Sequence, residues 1–507
     1  MKAPPARAPV LGAERFRSAA WRSCRARKDP LCAVREGFER GAILPAVLPD
    51  FRAVRVEFAL PAAFPAAVLA EAERAAASTT AARVDATDVP LVTVDPPGSK
   101  DLDQAVGITR TPRGFTVHYA IADLGAVVAP GGALDAEVRR RGQTLYLPDG
   151  SVPLHPPVLS EAAASLLPDG PRPAVLWRIE LDEAGETVSV DVRRALVRSL
   201  AQLDYAGVQA DFDAGRPHPA LAPLAELGPL RRGLAVARGA VELELPEQEV
   251  VPDGAGGWTV EIRRRTAVED WNAEISLLTG MSAARIMLDA GVGLLRTLPA
   301  PEPDAVAELR RTAVALGVEW PEGATPAEVL AGLKHADQAP RTLAVRRAAT
   351  TLLRGAAYEA FGGGAPAPED PGHGGIGAPY AHVTAPLRRL ADRFGSEVCL
   401  AVAAGEEVPG WLAEALPTLP DLMSASDRTA NAVTRACTDR TEAAVLADRV
   451  GEEFSAIVLR AEPGEVFVPE PPVMAKCSGT LQAADTTLVR LVEADPATGT
   501  VRFASPS

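Results

Sequence analysis

The sequence predicts an α+β protein that ends in a small β-barrel. Segments rich in β-branched residues alternate with turns between residues 91 and 195, a pattern typical of a sheet. From about residue 199 to residue 450, the pattern is mainly that of amphipathic and buried helices. Residues 452–503 return to short strands separated by proline and glycine turns, and their length suits a small β-barrel or part of one.

The composition is that of an ordinary globular protein. The 507 residues are 47% apolar and 23% charged, and a chain of this length forms about two to four domains. No run of about 18 uncharged apolar residues occurs, and no apolar signal region follows the N-terminus, so we expect a cytoplasmic protein without a membrane span. Five scattered cysteines without zinc spacing indicate a reducing compartment and no structural zinc.

The charge balance is strongly acidic. A formal net charge of −14 argues against a general nucleic-acid coat protein, because phosphate binding requires local positive charge. The same total still allows a protein that concentrates arginine in one channel.

Three parts of the chain are predicted. Residues 1–60 form an N-terminal segment that is partly helical or mobile, residues 61–450 form the main domain, and residues 451–507 form the C-terminal β segment. A basic cluster in the first part would either touch phosphate or form a solvated helix face. It comprises Arg22, Arg25, Arg27 and Lys28.

An acidic turn follows the first helix and strand. The alanine-rich periodicity of residues 61–83 predicts a helix, and Val92–Val94 reads as a short buried strand that ends at Asp95. Pro96-Pro-Gly then forces a turn, and Asp101 and Asp103 follow it. Crowded carboxylates repel one another unless a cation lies among them, and oxygen ligands suit Mg²⁺. The alternative is a solvated acidic turn without a metal.

Strands continue the chain as far as residue 192. They are predicted at residues 114–123, 174–181 and 187–192, and between the first two lies a proline-rich loop, residues 143–157, with little room for regular structure. Helices follow, including a long one at residues 268–288.

An arginine pair follows the glycine- and proline-rich loop of residues 362–379. Thr384 could cap a helix that begins near Pro386, which puts Arg388 and Arg389 in its first turn. Arginine there is unfavourable for the helix dipole but well placed to bind an anion. Acids that hold a metal on one side of a phosphate are complemented by arginine on the other side.

The motifs together resemble the ribonuclease II/ribonuclease R (RNB) family. Asp95-Pro-Pro-Gly-Ser-Lys-Asp-Leu-Asp resembles the acidic signature of that family, and His382-Val-Thr-Ala-Pro-Leu-Arg-Arg resembles its H-F-T-S-P-I-R-R element. Several motifs between these two occur in the same order as in the family. They are Tyr146-Leu-Pro-Asp-Gly, Pro153, Leu159, Ser160, Ser165-Leu-Leu-Pro, Tyr205 and Glu269.

The resemblance implies a fold and an activity. The fold would be an RNB catalytic domain, a mixed sheet packed with helices around an RNA channel, followed by an OB/S1-like barrel segment. The activity would be that of a Mg²⁺-dependent, processive 3′→5′ exoribonuclease that releases 5′-mononucleotides from single-stranded RNA. We expect a monomer, and the sequence does not identify protein partners.

The resemblance also implies roles for individual residues. Asp101, Asp103 and Arg388 would be catalytic, and the Mg²⁺ ligands would be Asp95, Asp101, Asp103 and Gln104. The RNA-binding set would be Tyr146, Tyr205, Leu243, Glu269, His382 and Arg389. Tyr146 would stack on the 3′-terminal base, and Tyr205 and Glu269 would lie near the 2′-hydroxyl. Structural alternatives exist for both tyrosines as packed side chains, for Arg389 as an ion-pair partner and for His382 as a loop hydrogen-bonder.

The chain departs from the family pattern at several points. Gln104 stands where the family has a fourth acid, so metal affinity should be lower and a second metal is in doubt. Leu243 stands where the family has a second stacking aromatic, and a late glutamate has no counterpart near Thr434 and Arg435. We expect no N-terminal cold-shock domains and a C-terminal segment that is short for a full S1 domain.

Two other functions fit these residues. One is a catalytically weakened or inactive RNA-binding protein of the same fold, and the other is a metal-dependent phosphodiesterase that acts on DNA or small nucleotides. The retained charges of Asp95, Asp101, Asp103 and Arg388 favour the exoribonuclease.

Overall fold

Two five-stranded β-barrels, separated by a mainly helical region, make up the part of the chain that the computed structural model describes, residues 49–78, 82–243, 245–333 and 339–506. These residues belong to one compact unit. The basic cluster predicted within residues 1–60 lies outside them, and the predicted boundaries at residues 60 and 450 stay predictions.

The described helices and strands are as follows. The α-helices are α1 (Phe51–Glu57), α2 (Ala66–Ala76), α3 (Ala133–Arg141), α4 (Tyr205–Asp213), α5 (Leu224–Ala237), α6 (Ala267–Ala290), α7 (Pro303–Ala315), α8 (Pro326–Gly332), α9 (Pro340–Ala349), α10 (Leu390–Ala404), α11 (Gly410–Ala415) and α12 (Leu419–Leu446). The strands are β1 (Val84–Asp95), β2 (Gln104–Thr111), β3 (Gly114–Ala122), β4 (Leu145–Leu147), β5 (Gly150–Val152), β6 (Arg172–Leu181), β7 (Thr187–Asp204), β8 (Glu247–Pro252), β9 (Trp258–Arg263), β10 (Gly293–Thr297), β11 (Ala357–Phe361), β12 (Gly372–His373), β13 (Ala378–Pro379), β14 (Glu453–Arg460), β15 (Glu465–Pro469), β16 (Pro472–Ser478), β17 (Thr486–Asp495) and β18 (Thr500–Ala504).

The first barrel has the strand order β1-β2-β3-β6-β7. Neighbouring strands are antiparallel except β1 and β7, which run parallel and bring Asp95 beside Asp204. Most side chains on both faces of β3 and β6 are buried; Trp177 and Leu176 of β6, for example, belong to different hydrophobic clusters. This burial explains why most residues of β3 are apolar and do not alternate with polar ones along its whole length.

Most elements predicted from the sequence are confirmed, with different lengths. The short strand expected at Val92–Val94 is the end of a strand of 12 residues, and the strand expected at residues 187–192 continues for 18 residues. The helix expected over residues 61–83 is confined to α2. The loop at residues 143–157 was wrongly predicted to lack regular structure, because β4 and β5 form a short hairpin there.

Helix α6 is the central helix of the helical region. Thr266 and Glu269 form a capping box at its N-terminus, and Gly291 ends the helix in a left-handed conformation. Twelve of its 24 residues are buried, which explains the weak amphipathic pattern of this segment.

The C-terminal segment is a complete closed barrel, with the strand order β14-β15-β16-β18-β17. Its interior is filled by Phe454, Val466, Phe503 and neighbouring apolar residues, and Ala443 and Leu446 of α12 pack against it. The described residues include no helix with the length and apolar character that a membrane crossing requires.

Candidate active site

A cavity of about 910 Å³ lies between the first barrel and the helical region. It lies at the upper end of the size range of small-molecule sites. Ten of the predicted site residues line it: Asp95, Asp101, Asp103, Gln104, Tyr146, Tyr205, Leu243, Glu269, Arg388 and Arg389. These residues are separated by as many as 294 positions in the chain, so the fold brings the predicted site together.

The acidic turn is held by a hydrogen bond within the turn and by Ser165 from outside it. Gly98 has a φ of +83°, which a glycine adopts without strain, and the Ser99 amide donates to the Pro96 carbonyl at 3.2 Å. The Ser165 hydroxyl donates to the Lys100 carbonyl at 2.6 Å and accepts from the Leu102 amide at 3.0 Å. Ser165 therefore fixes the backbone on both sides of Asp101.

Asp103 lines the cavity and is only 4% exposed. Its Oδ1 accepts the Leu387 amide at 2.7 Å, and its Oδ2 lies 3.6 Å from Nε of Arg388. Burial raises the pKa of Asp103 well above its ordinary value, and Arg388 opposes this shift without cancelling it. The positive charge of Arg388 therefore does not balance the cost of burying this carboxylate, and a bound cation would reduce that cost.

Arg388 and Arg389 precede the helix rather than lie in its first turn. The predicted helix start near Pro386 is wrong, because α10 begins at Leu390 with Arg389 as the residue before it. Tertiary hydrogen bonds use the backbone here: the Leu390 amide donates to the Gly142 carbonyl, and the Thr144 amide donates to the Arg388 carbonyl, each at 2.9 Å. These bonds replace the contacts that a helical turn would have made.

The two arginines have different surroundings. The Arg388 side chain is 47% exposed and lies close to Asp103, whereas the Arg389 side chain is 17% exposed and forms an ion pair with Asp392. Nη2 of Arg389 donates to Oδ1 of Asp392 at 2.9 Å, and the same oxygen accepts the Ala385 amide. This geometry favours the ion-pair alternative for Arg389, and its RNA contact stays a prediction.

The donor set around Asp95 fits a hard divalent cation. Oδ2 of Asp95 is buried and has no hydrogen-bond partner among the described residues. Burial, followed by the nearby charge of Asp101, raises the pKa of Asp95 to about 7. Within the described ranges, no three carboxylate, histidine or cysteine side chains already form a metal cluster. The oxygen-only chemistry of Asp95, Asp101 and Asp103 nevertheless suits Mg²⁺.

Gln104 is held by hydrogen bonds at both ends of its carboxamide. Nε2 donates to the Thr384 carbonyl at 2.6 Å, and Oε1 accepts the Tyr119 hydroxyl at 2.8 Å. The Tyr119 hydroxyl also lies 2.7 Å from Oγ of Ser276. Gln104 therefore connects the acidic turn to the segment that carries Arg388, and its role as a metal ligand stays a prediction.

Replacing Gln104 with aspartate is expected to have two separate effects. The added charge should lower the Mg²⁺ concentration needed for half-maximal activity, because a fourth carboxylate strengthens an acidic metal site. The shorter side chain should also destabilise the protein by about 1–2 kcal/mol, since Tyr119 and Thr384 lose their partner. Magnesium titration and urea denaturation measure the two effects. A lower stability with an unchanged Mg²⁺ requirement would exclude Gln104 from the metal site.

Tyr146 faces the cavity because of strand alternation. Leu145 and Leu147 are buried, whereas Tyr146 between them is 54% exposed and donates to Oδ2 of Asp101 at 3.1 Å. Tyr205 begins α4, and its hydroxyl accepts from Nδ2 of Asn272 at 3.4 Å. Both rings are thus available at the acidic end of the cavity, and their RNA contacts stay predictions.

Three other predicted RNA-binding residues are engaged differently. Oε2 of Glu269 accepts the Thr266 amide at 2.7 Å, and the carboxylate also pairs with Arg263, so its described contacts belong to the helix cap. Leu243 lines the cavity but packs partly against the cluster formed by α7, α8 and α9. His382 is not among the cavity-lining residues; its Nδ1 lies 2.6 Å from the Tyr358 hydroxyl. That contact supports the alternative of a loop hydrogen-bonder for His382.

Several cavity residues were not predicted. Asn272 and Ser276 face the cavity from α6 and contact Tyr205 and Tyr119, respectively. Together with Glu269 they recur at helical spacing within an otherwise apolar segment, which is the signal that could have revealed them. Glu274 also lines the cavity, and its Oε2 is buried without a hydrogen-bond partner in the described part of the chain.

Carboxylates opposite an arginine, with exposed tyrosine at the same cavity, define a site of the phosphodiester-processing class. The comparisons with known proteins agree with this class. Residues 83–395 match the RNB domain, and residues 452–505 match the C-terminal S1 domain of RNase II-type exonucleases. The chain belongs to the RNB family. The C-terminal segment is therefore not too short for an S1 domain of this type, contrary to the expectation from its length.

Individual relatives support the same assignment. The chain is 29% identical to Ribonuclease R of Escherichia coli over 405 residues, which cover 75% of this chain and 48% of that protein. It spans about half the length of the curated relatives it matches. The fold resembles Mycoplasma genitalium RNase R in complex with ribose-methylated single-stranded RNA, with a TM-score of 0.79, 19% identity and coverage of 90% and 77%. It also resembles yeast Ssd1, a pseudonuclease, with a TM-score of 0.62, 17% identity and coverage of 81% and 53%.

Proposed function

We propose that this protein is a Mg²⁺-dependent 3′→5′ exoribonuclease that hydrolyses single-stranded RNA to 5′-mononucleotides. The observation that carries the proposal is the buried carboxylate of Asp103 next to Arg388, 3.6 Å away, in a cavity that Asp95 and Asp101 also line. Membership of the RNB family supports the same activity.

Asp95, Asp101 and Asp103 would hold the metal. When bound, Mg²⁺ supplies positive charge to a phosphodiester and lowers the pKa of water. Asp95 and Asp103 fit this role because burial raises the pKa of both carboxyl groups where no cation balances them. Asp101 contributes a carboxylate that the Tyr146 hydroxyl already orients.

The side chains on the other walls would bind and orient the RNA. Arg388 is half exposed beside Asp103, so its guanidinium can donate to a phosphate oxygen without breaking a buried ion pair. The exposed ring of Tyr146 would stack on the terminal base, a contact that every base allows. Tyr205 would contact the ribose, where the 2′-hydroxyl separates RNA from DNA.

A degradation assay tests this proposal. Single-stranded RNA and DNA of the same sequence, each labelled at the 5′ end, are incubated with the protein in Mg²⁺ and in EDTA. We expect shortening of the RNA that requires Mg²⁺ and little shortening of the DNA. Intact RNA in Mg²⁺ would contradict the proposal, and equal degradation of both polymers would indicate a phosphodiesterase without preference for RNA.

Metal affinity is expected to rise with pH. The pKa of Asp95 is raised to about 7, so this carboxyl is largely protonated below that pH and must release its proton when the metal binds. The apparent Mg²⁺ affinity should therefore increase about fivefold or more between pH 6 and pH 8. Isothermal titration calorimetry in buffers of different ionisation enthalpy measures both affinity and proton release. An affinity that does not change over this range would remove Asp95 from the metal site.

The second candidate is a weakened or inactive RNA-binding protein of the same fold. The observation that favours it is the carboxamide of Gln104, a neutral group held by Tyr119 and Thr384 at the position of the fourth acid of the family. The fold similarity to a pseudonuclease is compatible with it. RNA that is bound but not shortened in Mg²⁺ would establish this candidate over the nuclease.

A further inference from the structure

The outer face of β15 and β16 in the C-terminal barrel is the first place to look for bound RNA. A five-stranded OB-type barrel binds oligonucleotides on the face of its second and third strands. In this barrel those strands are β15 and β16, which pair in the antiparallel register. The outer face of these two strands is therefore where RNA would be expected to lie.

That face is buried against the rest of the protein. Ile457, Phe467 and Met474 form a row across β14, β15 and β16, because Ile457 is opposite Phe467 and Phe467 is opposite Met474. This row packs against Leu343 of α9 and Ile262 of β9. Phe467 and Leu343 are each only 1% exposed, so no base can stack on the one aromatic residue of this face.

Polar contacts hold the barrel in the same position. Arg347 of α9 donates to both oxygens of Glu465 on β15, each at 2.8 Å. Oε1 of Glu442 on α12 accepts the Met474 amide at 3.2 Å, and Gln248 of β8 donates to the Pro472 carbonyl at 2.8 Å. Helices α9 and α12 and the β8–β9 hairpin thus all contact the face that would bind an oligonucleotide.

The remaining barrel surface is poorly suited to RNA. Residues 451–507 contain eight aspartates and glutamates against four lysines and arginines. Their only aromatic residues are Phe454, Phe467 and Phe503, and each of these is less than 5% exposed. Binding of single strands depends on cationic grooves and exposed aromatic rings, and this surface offers neither an excess of cations nor an aromatic platform.

Three of the arginines that line the cavity are held in ion pairs. Arg232 and Arg265 each pair with Asp270, at 3.1 and 3.2 Å, and Arg263 pairs with Glu247 at 3.3 Å and with Glu269. A phosphate that reached these guanidinium groups would have to displace a carboxylate, so the gain from such a contact is small.

We infer that the substrate class of this site includes oligoribonucleotides of a few residues, bound about as tightly as long RNA. The inference rests on the proposed function. A cavity of about 910 Å³ can hold only a short segment of an RNA strand. Outside the cavity, the described surface of the barrel adds neither an excess of cations nor an exposed aromatic ring.

Length dependence tests this inference. The full chain carrying Asp103→Asn is titrated in Mg²⁺ with 3′-ended oligoribonucleotides of 5, 10 and 20 residues, and binding is followed by fluorescence anisotropy. We expect the Kd to fall less than fivefold from 5 to 20 residues, with a salt slope of about −1 to −2 that does not depend on length. A fall of fivefold or more would overturn the inference.

Charge reversal on the barrel provides an independent control. Lys476 on β16 and Arg502 on β18 are partners in the sheet register, and both side chains are exposed. Lys476→Glu together with Arg502→Glu should change the Kd of the 20-residue RNA by less than twofold. A larger loss would show that RNA reaches the barrel and would overturn the inference.

The rates of degradation of short and long RNA distinguish a failure of this inference from a failure of the proposed function. The unmodified protein should degrade the 5-residue and 20-residue RNAs with values of kcat/KM that agree within fivefold. A preference for the longer RNA of more than fivefold would contradict the inference and leave the nuclease intact. No Mg²⁺-dependent turnover of either length would instead contradict the proposed function.

Discussion

Replacing Asp103 with asparagine is expected to reduce Mg²⁺-dependent RNA degradation by at least about 100-fold. Asparagine has nearly the same shape and retains an oxygen that can accept the Leu387 amide, so the backbone contact can persist. The negative charge that would bind the metal and face Arg388 is lost. Steady-state rates on single-stranded RNA measure the effect.

The stability of the same variant distinguishes a functional role from a structural one. Burial raises the pKa of Asp103 in the folded protein, so above the unfolded-state pKa the ionised carboxylate destabilises the metal-free fold. Asp103→Asn should therefore have an equal or higher thermal midpoint in EDTA. Asp211→Asn on the exposed surface of α4 is the matched control and should retain full activity. Loss of activity together with unfolding would contradict this account of Asp103.

Replacing Arg388 with alanine is expected to lower activity by about 100- to 1,000-fold with little change in stability. Its side chain is 47% exposed, and its ion-pair contact with Asp103 is long, 3.6 Å, so its removal breaks no tight ion pair. The expected loss comes from the missing donor to the phosphate. Rates on RNA and urea denaturation curves together measure both quantities.

The neighbouring residue is expected to show the opposite response. Arg389→Ala should destabilise the protein by about 3–5 kcal/mol, because it leaves the fully buried Asp392 without its ion-pair partner. Any loss of activity should then follow the loss of folded protein. An Arg389→Ala variant that is stable but inactive would reverse the roles assigned to the two arginines.

The sequence predicted the local elements of the fold well where side-chain periodicity decides them. Strands β3 and β6 follow from alternating and β-branched runs, and α6 follows from a long apolar segment. The helix expected from Pro386 begins later because the Leu390 amide donates to the Gly142 carbonyl and the Arg388 carbonyl accepts the Thr144 amide, each at 2.9 Å. Gly142 and Thr144 lie in a distant part of the chain, so local propensity contains no trace of them.

In the candidate site, the sequence predicted the charged residues but not the contacts that hold them in place. The carboxylates and Arg388 could be predicted because their chemistry is rare in such close spacing and because the motifs resemble a family. The connections between them could not: Ser165 holds the acidic turn, and Asn272 and Ser276 reach the tyrosines from α6. The burial of the outer face of β15 and β16 could not be predicted either. Phe467 lies between two buried valines, and strand alternation would place it on the exposed face of the barrel.

The most direct test of the central claim is the identity of the first product. RNA labelled at its 3′ end and the same RNA labelled at its 5′ end are digested in parallel in Mg²⁺ and sampled before a tenth of the substrate is consumed. The account predicts that the 3′ label leaves at once as a 5′-mononucleotide, while the 5′ label remains on a shortening chain. Release of the 5′ label first, or of internal fragments, would contradict it.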